Sequence, residues 1–266
     1  MTKIGFIGVG NMGSALARAV SLAENVSVCL YDTDIAKAKE TAKDIGAEYA
    51  PIDSLVASSD FIFLAVKPNI IPSVLQEIAP LVKGKKSILV SMAAGVSLES
   101  IYESLGYSDI PAIRIMPNTP VSIGCGMTLF SPSVNVSETA EQEFLRIMKN
   151  SGELDRIPEK LIDAASALSG CGPAFVYMFI EALADGGVEC GLPRDKALAY
   201  AVETVKGAAL MVKETKRHPG ELKDMVCSPG GSTIAGVHAL EDGKFRGATI
   251  NAVLSAYKKT LTLGKK

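Results

Sequence analysis

Gly8-Val9-Gly10-Asn11-Met12-Gly13 spaces three glycines as G-x-G-x-x-G directly after the apolar run Ile4-Gly5-Phe6-Ile7. In this pattern the first glycine permits a tight turn and the second lets a pyrophosphate approach the backbone. The third allows close helix–strand packing, and the free N–H groups and dipole at the start of the next helix hold the diphosphate. The glycines alone are weak evidence, since a structural turn would also place them so. Their context points to dinucleotide binding by Ile7, Gly8, Val9, Gly10, Asn11, Met12 and Gly13, because a second strand pattern ends in Leu30-Tyr31-Asp32. Asp32 follows the fingerprint by roughly 20 residues, where a carboxylate accepts hydrogen bonds from the ribose hydroxyls. It would also repel a 2′-phosphate, so NADH is expected to be preferred over NADPH. The competing reading makes Asp32 a cap for the helix after Thr33, and Asp34 and Lys37 nearby leave a mixed signal.

Two more segments close apolar runs on the side where ligands lie in a doubly wound sheet: Ala65-Val66-Lys67-Pro68 and Ser91-Met92-Ala93-Ala94-Gly95. Ala65, Val66, Lys67, Pro68, Met92, Ala93 and Ala94 are therefore further candidates for lining a flat nicotinamide ring. Plain strand-to-helix connections are the alternative.

A third chemical segment lies far from the first: Ser228-Pro229-Gly230-Gly231-Ser232-Thr233, ahead of a helical pattern. Two glycines flanked by hydroxyls before a helix start can form an anion cradle, with N–H groups of Gly231, Ser232 and Thr233 aimed at a carboxylate. Ser228, Gly230, Gly231, Ser232 and Thr233 are the substrate-binding candidates, against the simpler reading of a capped, glycine-rich turn.

An absence is also informative. Reduction of a ketone needs a group to protonate the developing alkoxide, and the β-hydroxyacid dehydrogenases carry a lysine for this on the long helix after the nucleotide domain. The comparable stretch here, Leu168 to Ile180, contains no Lys, Arg or His. An imine nitrogen can take its proton from solution, so orientation and carboxylate binding matter more than a strong acid. One hydroxyl near the imine nitrogen would suffice, and Thr233 is the candidate catalytic residue.

The elements that must position these groups fall into two halves. Up to Ile157, short apolar runs (Ile4–Gly8, Val26–Tyr31, Phe61–Val66, Ser87–Val90, Ala112–Ile115) alternate with helical stretches at Ser14–Leu22, Ile35–Ile45, Ile70–Leu81 and Leu98–Leu105. Apolar strands separated by helices indicate a parallel sheet covered on both faces. The expected fold is α/β: a Rossmann-type doubly wound domain over residues 1–157, then an all-α domain over 158–266. In the second half, Leu161–Leu168, Ala174–Cys190, Arg194–Lys216, Gly220–Val226, Thr233–Leu240 and Phe245–Leu263 read as helices. Ala174–Ala184 is apolar around most of its circumference, more than so small a helical domain can cover. That predicts a homodimer interface.

Composition limits the alternatives. Twenty-seven basic and 29 acidic side chains give a net charge of −2, without the basic excess of a nucleic-acid binder. The apolar run Ala174–Ala184, interrupted by Glu181, is read as short of the roughly 20 residues that span a bilayer. The start of the chain lacks the pattern of a secretory signal, and a cytoplasmic location is expected. The five cysteines form no C-x-x-C pair, and the two histidines have no ligand spacing, so no metal site is expected.

The motifs taken together resemble the pyrroline-5-carboxylate reductases over essentially the whole chain. Carrying the resemblance are Phe6–Met12, Phe63-Leu64-Ala65-Val66-Lys67-Pro68, Ala93-Ala94-Gly95-Val96, Met116-Pro117-Asn118-Thr119-Pro120, Leu168–Ala174, Ala184-Asp185-Gly186-Gly187-Val188, His218-Pro219-Gly220 and Ser228–Ile234. The segments Leu168–Ala174 and Ser228–Ile234 are the most specific. The resemblance implies hydride transfer from NADH or NADPH to the C=N carbon of (S)-1-pyrroline-5-carboxylate, giving L-proline in the last step of proline synthesis. It implies that Ile7–Met12, Ala65–Pro68 and Met92–Ala94 line the cofactor, with Ser232 and Thr233 on the substrate and Thr233 near the ring nitrogen. It further implies interlocked helical domains, active sites shared between subunits, and dimers that assemble into decamers. The chain departs from the pattern at Asp32, where NADPH-preferring members carry Ser, Thr, Arg or Asn, and at Cys171, where the family has serine. Reduction of another carboxylated imine, or a non-catalytic NADH-binding redox sensor, are the alternatives.

Overall fold

A computed structural model of the chain describes residues 1–263. Its first unit runs from Met1 to Cys171 and includes the end of the last helix from Ala256. In order it contains β1 (Thr2–Ile7), α1 (Asn11–Ser21), β2 (Val26–Tyr31), α2 (Ile35–Ile45), β3 (Glu48–Tyr49), α3 (Ile52–Ser58), β4 (Phe61–Leu64) and α4 (Ile71–Val82). There follow β5 (Ile88–Ser91), α5 (Leu98–Leu105), β6 (Ala112–Met116), β7 (Gly126–Pro132), α6 (Glu138–Met148), β8 (Gly152–Arg156) and α7 (Glu159–Ser169).

The strands form one eight-stranded sheet in the order β3-β2-β1-β4-β5-β6-β7-β8. Every pairing is parallel except β6 with β7. The chain reverses its strand order between β1 and β4, and such a switch point opens a crevice at the strand ends. Helices α1, α2 and α6 bury Leu16, Ala17, Val20, Ala38 and Phe144 against one face of the sheet. Helices α3, α4 and α5 bury Leu55, Leu75, Ile78 and Ile101 against the other. At the centre Phe6 and Phe63 stack with ring centroids 4.4 Å apart. The architecture is the doubly wound α/β fold that the alternating pattern predicts.

Helix α7 packs with this unit. Its Ile162 is buried with Met116 and Leu129, and its Glu159 and Asp163 pair with Arg114 of β6. Helix α7 therefore belongs to the first compact unit.

The second unit, Gly172–Ser255, is wholly helical: α8 (Gly172–Glu189), α9 (Arg194–Thr215), α10 (Pro219–Met225), α11 (Ser232–Asp242) and α12, which starts at Phe245 and ends at Leu263. Its buried core consists of the small residues Ala184, Ala197 and Ala201, with Ile180 and Val188 packed around them. The large apolar side chains lie outside: Met178 is 70% exposed and Tyr177 59%. One expectation needs correction here. Glu159–Glu189 forms an almost continuous helical stretch that holds an 18-residue window of mean hydropathy 1.4, enough by length and composition alone to cross a membrane. The apolar run Ala174–Ala184 is extended on its N-terminal side by the apolar end of α7, before the Gly170-Cys171 break.

Candidate active site

At the end of β1 the chain turns at Gly8, whose φ of +102° belongs to the left-handed region. Gly8 N–H donates to the Tyr31 carbonyl at 2.8 Å, and Ala65 N–H donates to the Ile7 carbonyl at 2.8 Å. The fingerprint thus bridges the ends of the two neighbouring strands. A Cβ on Gly13 would lie 2.3 Å from the Gly8 carbonyl oxygen, so this position needs glycine for packing. Gly10 differs, since a Cβ there meets nothing within 4 Å. The protein's own atoms do not demand glycine at position 10, and an approaching ligand would. Gly10 is also the N-cap of α1 and makes no side-chain cap bond, leaving the first-turn N–H groups of α1 for an anion. These features fit a dinucleotide diphosphate.

Asp32 closes the loop from the other side. Its Oδ2 accepts from Val9 N–H at 2.8 Å, and its Oδ1 from Asp34 N–H at 3.0 Å. Partial burial pushes its carboxyl up. Hydrogen bonds from Val9, Asp34 and Thr33, with the Lys37 charge, outweigh that and hold it below the usual carboxylate range. The cap of α2 is a different residue, Asp34, whose side chain accepts from Lys37 N–H at 3.1 Å. The competing cap role for Asp32 is therefore taken by its neighbour.

A cleft of about 390 Å³ opens beside these groups, lined by Ile7, Gly8, Gly10, Tyr31, Asp32, Thr33, Ala65, Val66 and Lys67, with Ile70, Val74 and Glu77 on its far wall. Asn11 and Met12 face a second hollow on the other side of the fingerprint, with Arg18, Lys37 and Thr119. Ile7 and Val9 are buried in the core, which leaves their backbone to face a ligand. Pro68 starts a 3-10 turn over Pro68–Ile70. Ala93 is buried, while Met92 and Ala94 are half-buried on the loop after β5. Thr33, Ile70 and Glu77 went unnoticed in the sequence. Thr33 had a visible signal in its place beside Asp32, whereas Ile70, at the end of the 3-10 turn, and Glu77, on α4, reach the cleft only through folding.

In the helical unit, Ser228–Gly231 turns tightly into α11. Gly230 has φ +68°, and a Cβ on Gly231 would fall 2.4 Å from Ser228 Oγ. Gly231 N–H donates to the Ser228 carbonyl at 3.0 Å, so of the three N–H groups expected in the cradle this one is engaged within the turn. Ser232 and Thr233 open α11, whose N-cap Gly231 makes no side-chain cap bond. Their N–H groups lack intrahelical acceptors and are exposed. A shallow hollow beside the loop is lined by Lys223, Gly230, Gly231, Ile234 and His238. The acidic or basic side chains of α8 are Glu181, Asp185 and Glu189 alone, with no cation to serve a carbonyl substrate. Among the described residues no group of three or more His, Cys, Asp or Glu could hold a metal.

With this geometry in hand, comparison with known proteins is specific. The family model described as pyrroline-5-carboxylate reductase dimerisation matches residues 159–263, and that described as NADP oxidoreductase coenzyme F420-dependent matches residues 3–95. The chain is 42% identical to the pyrroline-5-carboxylate reductase of Escherichia coli over 99% of its own length and 98% of that protein's. It is 40% identical to that of Glycine max, covering 98% of the chain and 95% of the relative. Among solved structures, the pyrroline carboxylate reductase of Plasmodium falciparum with NADP bound superposes with a TM-score of 0.90 at 35% identity, covering 99% of this chain and 98% of that one.

Proposed function

The chain belongs to the pyrroline-5-carboxylate reductase family, and from that premise we propose how its residues carry out NAD(P)H-dependent reduction of (S)-1-pyrroline-5-carboxylate to L-proline. The observation that carries the reading is the pair of anion-ready helix starts. Gly10 at the head of α1 faces open space, with no described protein atom within 4 Å of an added Cβ. Gly231 at the head of α11 leaves Ser232 and Thr233 uncapped.

The α1 terminus holds the diphosphate, and Asp32 holds the adenosine ribose. Val66 and Lys67 line the cleft, and the Met92–Ala94 loop after β5 is assigned to the nicotinamide end. When bound, the reduced nicotinamide supplies a hydride. The N–H groups of Ser232 and Thr233 hold the substrate carboxylate at the positive end of the α11 dipole. The Thr233 hydroxyl holds the ring nitrogen, which has already taken a proton from solvent, so that the electron pair released from the C=N bond stays on nitrogen. No cationic general acid is needed, in keeping with the acidic character of the α8 side chains. Asp32 makes NADH the preferred cofactor.

The helical unit acts as a homodimer. Its core is built from alanines while Tyr177, Met178, Leu210 and Met211 stand outside, an area of apolar surface that one chain leaves uncovered. The dimerisation match over 159–263 supports a second copy as the occupant, and not lipid, with the enzyme working in the cytoplasm. Assembly of dimers into a decamer belongs to the same proposal and is read by light scattering. Crystals soaked with cofactor and L-proline test the substrate site. The amino acid's carboxylate is expected on Ser232 and Thr233, and a proline bound away from residues 228–233 would contradict it.

A further inference from the structure

We propose that Arg114 is a positioning residue for the nicotinamide end of the cofactor, acting through Glu159 on the loop after β5. The inference rests on the reading that Met92, Ala93 and Ala94 line that end. Arg114 lies in the middle of β6 and is 3% exposed. One guanidinium nitrogen is 3.4 Å from Glu159 Oε1, and the other bonds Asp163 Oδ1. Its Nε is buried with no hydrogen-bond partner among the described residues. A buried arginine left partly unsatisfied is poorly explained by stability, because apolar residues of similar volume commonly serve a core as well or better.

The geometry supplies another reason. Glu159 Oε1, the oxygen facing Arg114, also accepts a hydrogen bond from Leu98 N–H at 2.7 Å. Leu98 is the first residue of α5, and the segment from Ser91 to Leu98 carries Met92–Ala94. Ala94 itself packs with Met116 and Ile162, so α7 supports the loop by an apolar contact and by the Glu159 bond. Glu159 and Asp163 stand one helical turn apart and repel when both are charged. With Arg114 between them, both carboxylates stay under the sheet. Without it, Glu159 turns toward solvent and releases Leu98. A loop shift of even a fraction of an ångström matters at a hydride-transfer distance, where misplacement by about 1 Å can cost on the order of a hundred-fold in rate.

Four full-length variants test this: Arg114→Met, Glu159→Gln, Glu159→Ala and Ala94→Leu. Each is titrated with NADH and with ADP-ribose, which lacks the nicotinamide. Turnover is then measured with C4-deuterated and ordinary NADH. Arg114→Met is expected to lower kcat about ten-fold or more, to weaken NADH but not ADP-ribose, and to raise the isotope effect as hydride transfer becomes limiting. Glu159→Ala should match it, and Glu159→Gln, which keeps an acceptor for Leu98, should fall between. Equal weakening of NADH and ADP-ribose, or wild-type kcat in both Arg114→Met and Glu159→Ala, overturns the proposal. Should Arg114→Met fail to fold, the two Glu159 variants decide by the same criteria. Ala94→Leu is expected to weaken NADH alone. If it leaves NADH binding unchanged, the loop does not line the nicotinamide, and the reading and the proposal fall together. If it weakens NADH while the Arg114 and Glu159 variants behave as wild type, only the proposal falls.

Discussion

The Asp32 carboxylate accepts the N–H of Val9 at 2.8 Å, joining the end of β2 to the interior of the glycine loop. In the proposed site this one side chain would both shape the backbone facing the diphosphate and set a negative charge beside the adenosine ribose. These two roles are separable by substitution.

Wild-type enzyme is expected to use NADH with higher kcat/KM than NADPH. Asp32→Asn keeps an acceptor for Val9 and removes the charge, so it should move the preference toward NADPH by about ten-fold or more, the effect of about 1.4 kcal/mol or more of lost repulsion and lost ribose bonding. Asp32→Ala also loses the loop anchor and should bind both cofactors poorly. A wild type that strongly prefers NADPH contradicts the role given to Asp32.

The glycines separate folding from binding. Gly13→Ala pushes a methyl group into the Gly8 carbonyl and Ala65 and should lower Tm by several degrees, a cost of about 1–3 kcal/mol for overpacking. Gly10→Ala meets no protein atom and should keep the wild-type Tm while binding NADH at least ten-fold more weakly. Thermal melts and NADH titration read both. Unimpaired NADH binding by Gly10→Ala would show that the diphosphate does not pass that position.

Thr233→Ala should lower kcat/KM for the imine about ten-fold or more, since one lost hydrogen bond in the transition state is worth roughly 1.5–3 kcal/mol. Its effect on NADH affinity should be small. An unchanged kcat/KM removes Thr233 from its role and leaves the rest standing.

On α6, Glu143 is held at about 2, chiefly by hydrogen bonds from Arg146. The Thr2 hydroxyl, the Arg146 charge and the chain's amino terminus add to this, and partial burial opposes it. Its folded pKa lies below its unfolded value near 4.5. The stabilisation is therefore complete above about 4.5 and is lost as pH falls toward 2. Both side chains are about a third exposed, so solvent screening reduces the contribution to about 1 kcal/mol. Glu143→Gln should lower Tm by roughly 2–4 °C at neutral pH, and its melting curve should converge on wild type as the pH drops. A gap that persists unchanged at low pH would contradict this.

Strands β1, β2, β4, β5 and β6 were legible because apolar residues dominate them, although Thr2 and Lys3 start β1, Ser27 interrupts β2 and Arg114 interrupts β6. Three others were not. β3 is two residues long, β7 carries Gly126, Thr128, Ser131 and Pro132, and the edge strand β8 reads Gly-Glu-Leu-Asp-Arg. Pairing with a neighbour makes them strands, and no local pattern records that partner. Helices α3 and α6 were also passed over. α3 is seven residues long, and α6 follows the unread strand β7. In the site, the fingerprint and the Ser228–Thr233 turn were visible because they need special backbone. The Arg114–Glu159–Leu98 chain links residues from three separate segments, which only folding brings together.

The most direct measurement follows NADH oxidation by the purified enzyme with pyrroline-5-carboxylate, with a 2-ketoacid and with no substrate, under identical conditions. Rapid oxidation with the imine alone, yielding L-proline, is the predicted result. Oxidation with the ketoacid and none with the imine would contradict the account at its centre.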